Sequence, residues 1–311
     1  MNQYFEIKQL IIYKFKNYLT FLKFNFFKSS LLFVRLFKFL VSKNTRTILI
    51  CSGKGGVGKT TLTANLGIAL ANSGASTAVL DADFGLRNLD LLLGLENRII
   101  YTAQDVLDKN CRLDQALVRH KKEPNLALLP AGDPRMLDWM KPEDMKKISN
   151  LLSEKFDYVL VDCPAGVEDG FKNALSACSE AIVVTNPELS AVRDADRVIG
   201  ILNTSDIKPI QLVVNRVRPN MMANQEMLSI EDVQSILSLP LLGIVLEDEQ
   251  VIISTNRGEP LTLSDTKSPA KKCYLNVSQR LSGKDIPIID PKNEGKSLKD
   301  KFVRLMQTKI F

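Results

Sequence analysis

Short apolar runs alternate with stretches of helical periodicity from residue 47 onward. Each run is four or five residues long and rich in apolar residues, which is typical of buried parallel strands. The runs occupy residues 47–51, 78–81, 126–129, 158–162, 181–185, 211–215 and 242–245. Apolar residues recur at helical spacing from Leu62 to Gly74, and again over residues 143–156 and 192–202. This alternation predicts an α/β fold with a mostly parallel, doubly wound sheet.

A glycine-rich loop lies between the first run and the first helical stretch. Its glycine spacing, followed by Lys59 and Thr60, is that of a phosphate-binding loop, or P-loop. In such a loop the backbone N–H groups surround the phosphates, the lysine reaches the terminal phosphates and the hydroxyl binds Mg²⁺. The predicted nucleotide-binding residues are Gly53, Lys54, Gly55, Gly56, Val57, Gly58, Lys59, Thr60 and Thr61. Lys54 has no role in this scheme, so the loop contains one lysine more than phosphate binding requires.

Three aspartates stand where predicted strands end. Asp162 ends the run 158–162, the position of an acid that helps to hold Mg²⁺ beside a P-loop. Asp81 ends another run, and Asp83 follows it on the same side of the chain. One of these two can adjust the magnesium shell while the other orients the attacking water, and the pattern alone leaves open which does which. We predict Thr60, Asp81 and Asp162 as magnesium ligands.

Charge is distributed unevenly along the chain. The net charge is +6, but residues 1–46 contain nine basic side chains against one acid, Glu6, and therefore carry +8. The remainder is then −2, which gives no support for nucleic-acid binding by the folded domain. The five cysteines are scattered without a Cys-x-x-Cys pair and are expected to be reduced thiols. The only histidine, His120, lies in a charged run and is expected on a surface loop.

The basic extension, residues 1–46, contains nine of the phenylalanines, yet lysine or arginine interrupts every apolar run. No uncharged stretch in it approaches the roughly 20 residues that cross a bilayer. Basic and aromatic residues together are typical of a membrane-surface helix or a targeting peptide. The alternative is that an A/T-rich reading frame, as in an organelle genome, encodes this composition and that the extension is dispensable or untranslated. Both interpretations stay open.

Four further motifs accompany the P-loop. They are residues 81–90, 162–166, 185–188 and 190–197. Through them the chain, from about Thr47 to its end, resembles the deviant Walker A ATPases of the MinD/ParA family. The resemblance implies Mg²⁺-dependent hydrolysis of ATP, with Lys54, Lys59 and Asp83 as catalytic residues and Asp83 orienting the attacking water. It also gives Lys54 a role, because in this family the extra lysine crosses an ATP-bound homodimer and contacts the partner's phosphates.

The same resemblance implies the remaining site residues. By this resemblance, the adenine base is expected to be recognised by Asn215, Arg216, Glu247 and Asp248. Leu246 departs from the family, which usually has proline before Glu-Asp. Asp194 and Asp196 are expected at the surface for partners, namely a MinE-type activator of hydrolysis and a MinC-type division inhibitor.

The C-terminal region differs from the domain before it. Residues 282–296 contain prolines and glycines and are interpreted as a linker, which bounds the P-loop domain at residues 47–281. Residues 297–311 are predicted to form a cationic amphipathic helix for an anionic membrane surface. Its apolar face contains Leu298, Phe302, Leu305 and Met306. One such tail binds weakly, whereas two tails on a dimer bind together and therefore more strongly.

These expectations combine into one function. The chain is predicted to be a membrane-associated, ATP-dependent dimeric switch that positions the division septum. It would act on the stromal side of a plastid inner membrane or, alternatively, in the cytoplasm and at the inner membrane of a bacterium. A DNA-binding partition ATPase is the alternative function, although no nucleic acid is expected. An iron–sulfur carrier has Cys163 as its one candidate cysteine, and a tyrosine kinase is disfavoured because no tyrosine follows Tyr274.

Overall fold

The computed structural model describes residues 45–83, 88–132 and 141–291. Within these ranges eight strands form one sheet, in the order β3-β4-β2-β5-β1-β6-β7-β8. The strands are β1 (Arg46–Cys51), β2 (Thr77–Asp81), β3 (Val118–Arg119), β4 (Leu126–Leu129), β5 (Tyr158–Asp162), β6 (Glu180–Thr185), β7 (Ile210–Val217) and β8 (Leu241–Leu246). Neighbouring strands are parallel except β3 and β4, which are antiparallel. The predicted α/β fold with a mostly parallel sheet is confirmed.

Helices connect the parallel strands and cover the sheet. They are α1 (Lys59–Asn72), α2 (Leu89–Leu92), α3 (Ala103–Leu107), α4 (Leu113–Ala116), α5 (Pro142–Ser153), α6 (Asp169–Ser176), α7 (Leu189–Asn203), α8 (Pro219–Ala223), α9 (Ile230–Leu237), α10 (Glu249–Asn256) and α11 (Pro269–Leu281). Short 3₁₀ turns occupy Glu96–Arg98 and Leu261–Leu263. The three helical stretches expected from periodicity correspond to α1, α5 and α7. The predicted C-terminal helix, residues 297–311, lies outside the described residues.

The strand order places the end of β1 at a topological switch point. The chain enters the sheet at β1, whose neighbours are β5 on one side and β6 on the other. Ligands of open α/β sheets bind where the winding direction reverses in this way, outside the carboxyl ends of the strands. The parallel register also brings carboxylates together there, since Asp81 on β2 pairs with Asp162 on β5.

Helix α1 is held on nearly all sides. Its glycine, Gly67, lets the helix approach the sheet, because a Cβ there would lie 2.8 Å from Val79 Cγ1. α1 also packs against α11 and the Leu261–Leu263 turn. The buried side chain of Asn65 accepts the Thr262 backbone N–H at 3.0 Å. The loop that precedes α1 is therefore attached to a helix with little freedom to move.

The segment after α11 follows that helix back along the domain. Residues 284–290 have no helix or strand, yet Ile288 and Ile289 pack against the core. The Asn276 side-chain amide donates a hydrogen bond to the Pro287 carbonyl oxygen at 2.9 Å. The first part of the predicted linker, 282–296, is thus in contact with the domain, while residues 292–296 lie outside the described ranges.

His120 is buried, so its predicted place on a surface loop is wrong. The side chain follows the two-residue strand β3, which the apolar pattern did not predict, and is only 7% exposed. Its Nδ1 accepts the backbone N–H groups of Lys122 at 3.2 Å and Glu123 at 3.1 Å. Burial, together with the positive charges of Lys122 and Arg98, lowers the pKa of His120 below its usual value. The neutral ring therefore holds the β3–β4 turn together.

This turn makes stability dependent on pH. A histidine with a lowered pKa in the folded state stabilises the fold above its unfolded pKa of about 6.5, and the contribution is lost as the pH falls below that value. His120→Asn keeps an acceptor near Nδ1 but does not titrate. Between about pH 7.5 and about pH 5.5, the wild type should lose more unfolding free energy than the variant, measured by urea denaturation. Parallel pH profiles for the two proteins would contradict this account.

Candidate nucleotide-binding site

The P-loop connects β1 to α1 with a backbone that only glycine adopts easily. Gly56 has a φ of 76° and Gly58 a φ of 100°, both in the left-handed region. Lys59, the first residue of α1, is only 8% exposed even though lysine is seldom buried. The loop therefore presents a buried cation beside the N-terminus of a helix, which is an arrangement that binds anions.

A side chain from another strand holds the loop. The buried Asn215, on β7, donates a hydrogen bond from Nδ2 to the Val57 carbonyl oxygen at 2.7 Å. A Cβ added at Gly58 would lie 2.2 Å from the same nitrogen. Asn215, expected at the adenine, thus contacts the phosphate-binding loop directly.

The predicted magnesium ligands lie together. The Thr60 hydroxyl hydrogen-bonds the Asp162 carboxylate, which is buried. Asp81, also buried, accepts the backbone N–H groups of Asp83 at 3.0 Å and Leu89 at 3.3 Å. Carboxylate and hydroxyl oxygens are the ligands that Mg²⁺ prefers. Thr60, Asp81 and Asp162 could therefore hold one Mg²⁺ ion beside the P-loop.

Both aspartates resist ionisation. Burial and the charge of Asp162 raise the pKa of Asp81 well above its usual value. Burial raises the pKa of Asp162 to about 6, against the opposing effects of the Thr60 hydroxyl and the Lys59 cation. Two buried carboxylates next to each other repel, and a cation between them relieves that repulsion. Perturbed acids in such a place are characteristic of functional sites.

Asp83 and Lys54 are the two other predicted catalytic residues beside Lys59. Asp83 is half-buried, immediately before residues 84–87, which lie outside the described ranges. Lys54 is turned toward the beginning of α7, where its Nζ lies 3.2 Å from Ser190 Oγ and 3.7 Å from the Glu188 carboxylate. Its side chain keeps 43% of its accessible surface. Lys54 and Lys59 therefore occupy different environments, one exposed and one buried.

The residues expected at the adenine are only partly brought together. Arg216 is exposed, has a φ of 55° and lies 3.9 Å from the Glu247 carboxylate. The Asp248 carboxylate is engaged elsewhere, since it accepts the Gln250 N–H at the start of α10 and the Ser268 hydroxyl at the start of α11. Its side chain thus joins two helices. Leu246, where the family usually has proline, is a buried end residue of β8 that pairs with Val217.

Helix α7 contains the expected partner surface and also contacts the P-loop. Asp196 is exposed, whereas Asp194 is half-buried and lies 3.7 Å from Arg197. A Cβ added at Gly53 would lie 2.0 Å from the Asp194 carbonyl oxygen, so only glycine fits there. Leu298, Phe302, Leu305 and Met306, which the sequence predicts on the membrane face of a C-terminal helix, lie outside the described residues.

Thr63 is a residue of the candidate site that no sequence motif indicated. Its Oγ1 lies 3.1 Å from Asp162 Oδ1 and 3.0 Å from the Lys59 carbonyl oxygen, and its one proton serves either acceptor. The signal was present in the sequence, because Thr63 stands one helical turn after Lys59 on the same face. Glu188 and Ser190, which contact Lys54, were recognised as motif residues without a role.

Thr63 provides a test of the magnesium centre. Thr63→Val removes the hydroxyl that contacts Asp162, and such partners of metal ligands typically change metal affinity by about 10-fold or more. We expect the Mg²⁺ concentration for half-maximal nucleotide hydrolysis to rise by about this factor. Thr63→Ser retains the hydroxyl and is the matched control. Equal Mg²⁺ dependence in Thr63→Val and Thr63→Ser would argue against the contact.

The chain matches a known protein family over most of its length. The family model ParA, described as NUBPL iron-transfer P-loop NTPase, matches residues 43–282. The septum site-determining protein MinD of Synechocystis is 55% identical over 245 residues, which are 79% of this chain and 92% of the relative. Relatives described as putative septum site-determining protein MinD occur in the algae Guillardia theta and Chlorella vulgaris.

Solved structures agree with the sequence relatives. A chain of the MinC:MinD cell division protein complex of Aquifex aeolicus superimposes with a TM-score of 0.74 at 44% identity, covering 79% of this chain and 99% of that one. The septum site-determining protein MinD of Pyrococcus horikoshii, complexed with Mg-ADP, gives a TM-score of 0.68 at 31% identity, covering 76% and 96%. The strand order, the P-loop and these matches lead to the same conclusion: the chain belongs to the MinD family of septum site-determining proteins, within the ParA-type P-loop NTPases.

Proposed function

We propose that this chain is a Mg²⁺-dependent ATPase whose ATP-bound homodimer attaches to a membrane and positions the division septum. The observation that carries the proposal is a P-loop with a buried lysine, Lys59, and a second, exposed lysine, Lys54. A buried lysine serves the nucleotide of its own chain. An exposed one on the same loop is available to a second molecule.

In the proposed hydrolysis, the P-loop binds the nucleotide, three side chains bind Mg²⁺ and Asp83 positions the water. Loop N–H groups and Lys59 bind the β- and γ-phosphates, while Thr60, Asp81 and Asp162 hold Mg²⁺. The ion would neutralise charge on the phosphates when bound. Asp83 orients the attacking water next to this centre. Phosphoryl transfer asks the protein mainly for alignment and charge stabilisation, and these residues provide both.

Lys54 couples hydrolysis to association. In the single chain its ammonium group contacts Ser190 and Glu188, where the lysine and glutamate side chains are 43% and 52% exposed. An ion pair with this exposure contributes only about 0–1 kcal/mol, so leaving it costs little. In an ATP-bound dimer Lys54 reaches the partner's phosphates, where a positive charge in a site closed to water is worth far more.

Membrane attachment is assigned to residues 297–311. No helix among the described residues is long and apolar enough to cross a membrane. Four large apolar side chains on the tail contribute roughly 1.5–3 kcal/mol each if fully buried. Ordering the tail opposes this with about 1 kcal/mol or more per residue. A single tail therefore binds weakly, and a dimer with two tails gains about 100-fold or more in avidity.

Helix α7 is the proposed surface for partners. It contacts the P-loop at Gly53, and its residues Asp194 and Asp196 would bind a MinC-type inhibitor and a MinE-type activator. The MinC:MinD complex of Aquifex aeolicus supports a partner of the first type. The algal relatives support a plastid location, as does the amino-acid composition of residues 1–46 if it is read as that of an A/T-rich reading frame, with a bacterial location as the alternative. Residues outside the basic extension carry −2, so DNA partition is not proposed.

Lys54→Ala tests the role of the second lysine. Without this charge we expect the ATP-bound protein to stay monomeric, and hydrolysis to fall about 100-fold or more because a transition-state contact is lost. Sedimentation velocity with ATP and with ADP measures association, and phosphate release measures turnover. Lys172→Ala, which removes another exposed lysine, is the matched control. A dimer of Lys54→Ala in ATP would refute the proposed role.

Phe302→Glu tests membrane attachment. The variant places a charge on the apolar face of the predicted tail helix, so pelleting with anionic liposomes in ATP should drop at least 10-fold while ATP-dependent dimerisation is kept. Ile100→Glu changes an apolar side chain that is 80% exposed on the domain and should leave pelleting unchanged. Equal pelleting of the wild type in ATP and ADP would contradict nucleotide-controlled attachment.

A further inference from the structure

We propose that Asn215 is a positioning residue of the P-loop. Its side-chain amide shapes the loop that binds phosphates, so it contributes to nucleotide affinity independently of the base. This inference rests on the proposed nucleotide site and differs from the adenine contact that the family resemblance implies for Asn215. It can therefore fail while the proposed ATPase function stands.

The first observation is a buried hydrogen bond between distant parts of the chain. Asn215 Nδ2 donates to the Val57 carbonyl oxygen at 2.7 Å across 158 residues of sequence. Asn215 is 6% exposed and Val57 is 2% exposed, so water competes little for either group. Leaving a buried donor and a buried acceptor without a hydrogen bond costs free energy. This contact is therefore maintained in the folded protein.

Through peptide geometry, this contact also fixes the orientation of the next N–H group of the loop. In a trans peptide the carbonyl group and the following N–H group point in opposite directions. Because the Val57 carbonyl points at Asn215, the Gly58 N–H points away from Asn215. The Asn215 amide therefore fixes the orientation of one of the N–H groups of a loop whose N–H groups surround phosphates.

Gly58 and Asn215 also fit each other sterically. Gly58 has a φ of 100°, and a Cβ at this position would come within 2.2 Å of Asn215 Nδ2. The Gly58 carbonyl oxygen accepts the Leu62 N–H at 2.9 Å, the first hydrogen bond of α1. The amide thus lies against the turn from which Lys59 and Thr60 extend.

An irregularity in β7 accompanies the contact. Val214 pairs with Ile244 and Val217 pairs with Leu246, so β7 has one residue more than β8 between these pairs. Arg216, inside the irregular stretch, has a φ of 55°. Bulges of this kind redirect side chains and are common next to active sites. The break in β7 thus coincides with the residue whose side chain contacts the P-loop.

The test separates loop positioning from base recognition by comparing two ligands. Asn215→Leu has a similar size and no hydrogen-bonding groups. Mg-ATP and Mg-tripolyphosphate, which lacks a base, are titrated by competition against fluorescent ADP. We expect both affinities to weaken by the same factor, about 5- to 30-fold. Asn215→Ala, which only deletes atoms, is measured alongside and supplies the result if the leucine variant does not fold.

Asn276→Leu is the matched control. The Asn276 side-chain amide also donates a hydrogen bond to a backbone carbonyl oxygen, that of Pro287, but neither residue belongs to the predicted nucleotide site, so its removal should leave tripolyphosphate affinity unchanged. An equal loss of tripolyphosphate binding in Asn276→Leu would overturn the inference, because the effect would not belong to the Asn215 amide. All titrations are made well below the melting temperature, where a purely stabilising role leaves affinity unaltered.

Three other outcomes are decisive. A loss of ATP binding with tripolyphosphate binding intact would assign Asn215 to the base and overturn the inference. Unchanged affinity for both ligands in the two Asn215 variants would overturn it as well. Failure of the wild type to bind either ligand would instead overturn the proposed nucleotide site.

Discussion

Asp81 and Asp162 lie side by side and buried because β2 and β5 run parallel in register, with each aspartate at the end of its strand. Burying two carboxylates together opposes ionisation of both, and several groups partly compensate for it. The Thr60 hydroxyl hydrogen-bonds Asp162, the Thr63 hydroxyl lies within hydrogen-bond distance of it, and two backbone N–H groups donate to Asp81. The centre nevertheless stays unfavourable for charge, so a cation that joins it stabilises the fold. In such a centre, the arrangement that favours cation binding lowers the folding stability of the protein without the cation.

Contacts between segments that are distant in sequence arrange the rest of the site around the carboxyl ends of these strands. The P-loop obtains its shape from glycines with positive φ and from Asn215 on β7. Helix α7 packs so closely on the loop that Gly53 has no room for a side chain. The same helix begins with the groups that contact Lys54. A change in the loop on nucleotide binding would therefore act directly on the helix that we propose as the partner surface.

Much of the fold was predictable because its signals are local. All seven predicted strands are present, with bounds that shift by at most two residues. Buried parallel strands are short apolar runs, and a P-loop requires glycine at fixed spacing, so neither depends on distant residues. The two-residue strand β3 was missed because it is too short for a periodic pattern. His120 was misplaced because its charged neighbours indicate a surface, whereas its ring accepts two N–H groups inside a turn.

The candidate site also combines features that the local sequence predicts with features that depend on tertiary contacts. The sequence by itself determined the chemistry: a P-loop with an additional lysine, and acids at strand ends where a parallel sheet binds ligands. Only the tertiary structure decided which groups meet. It joined Asn215 to Val57, engaged Asp248 between two helices and turned Lys54 toward Glu188. These contacts link residues far apart in the chain, and their geometry depends on strand register and helix packing, which no local pattern encodes.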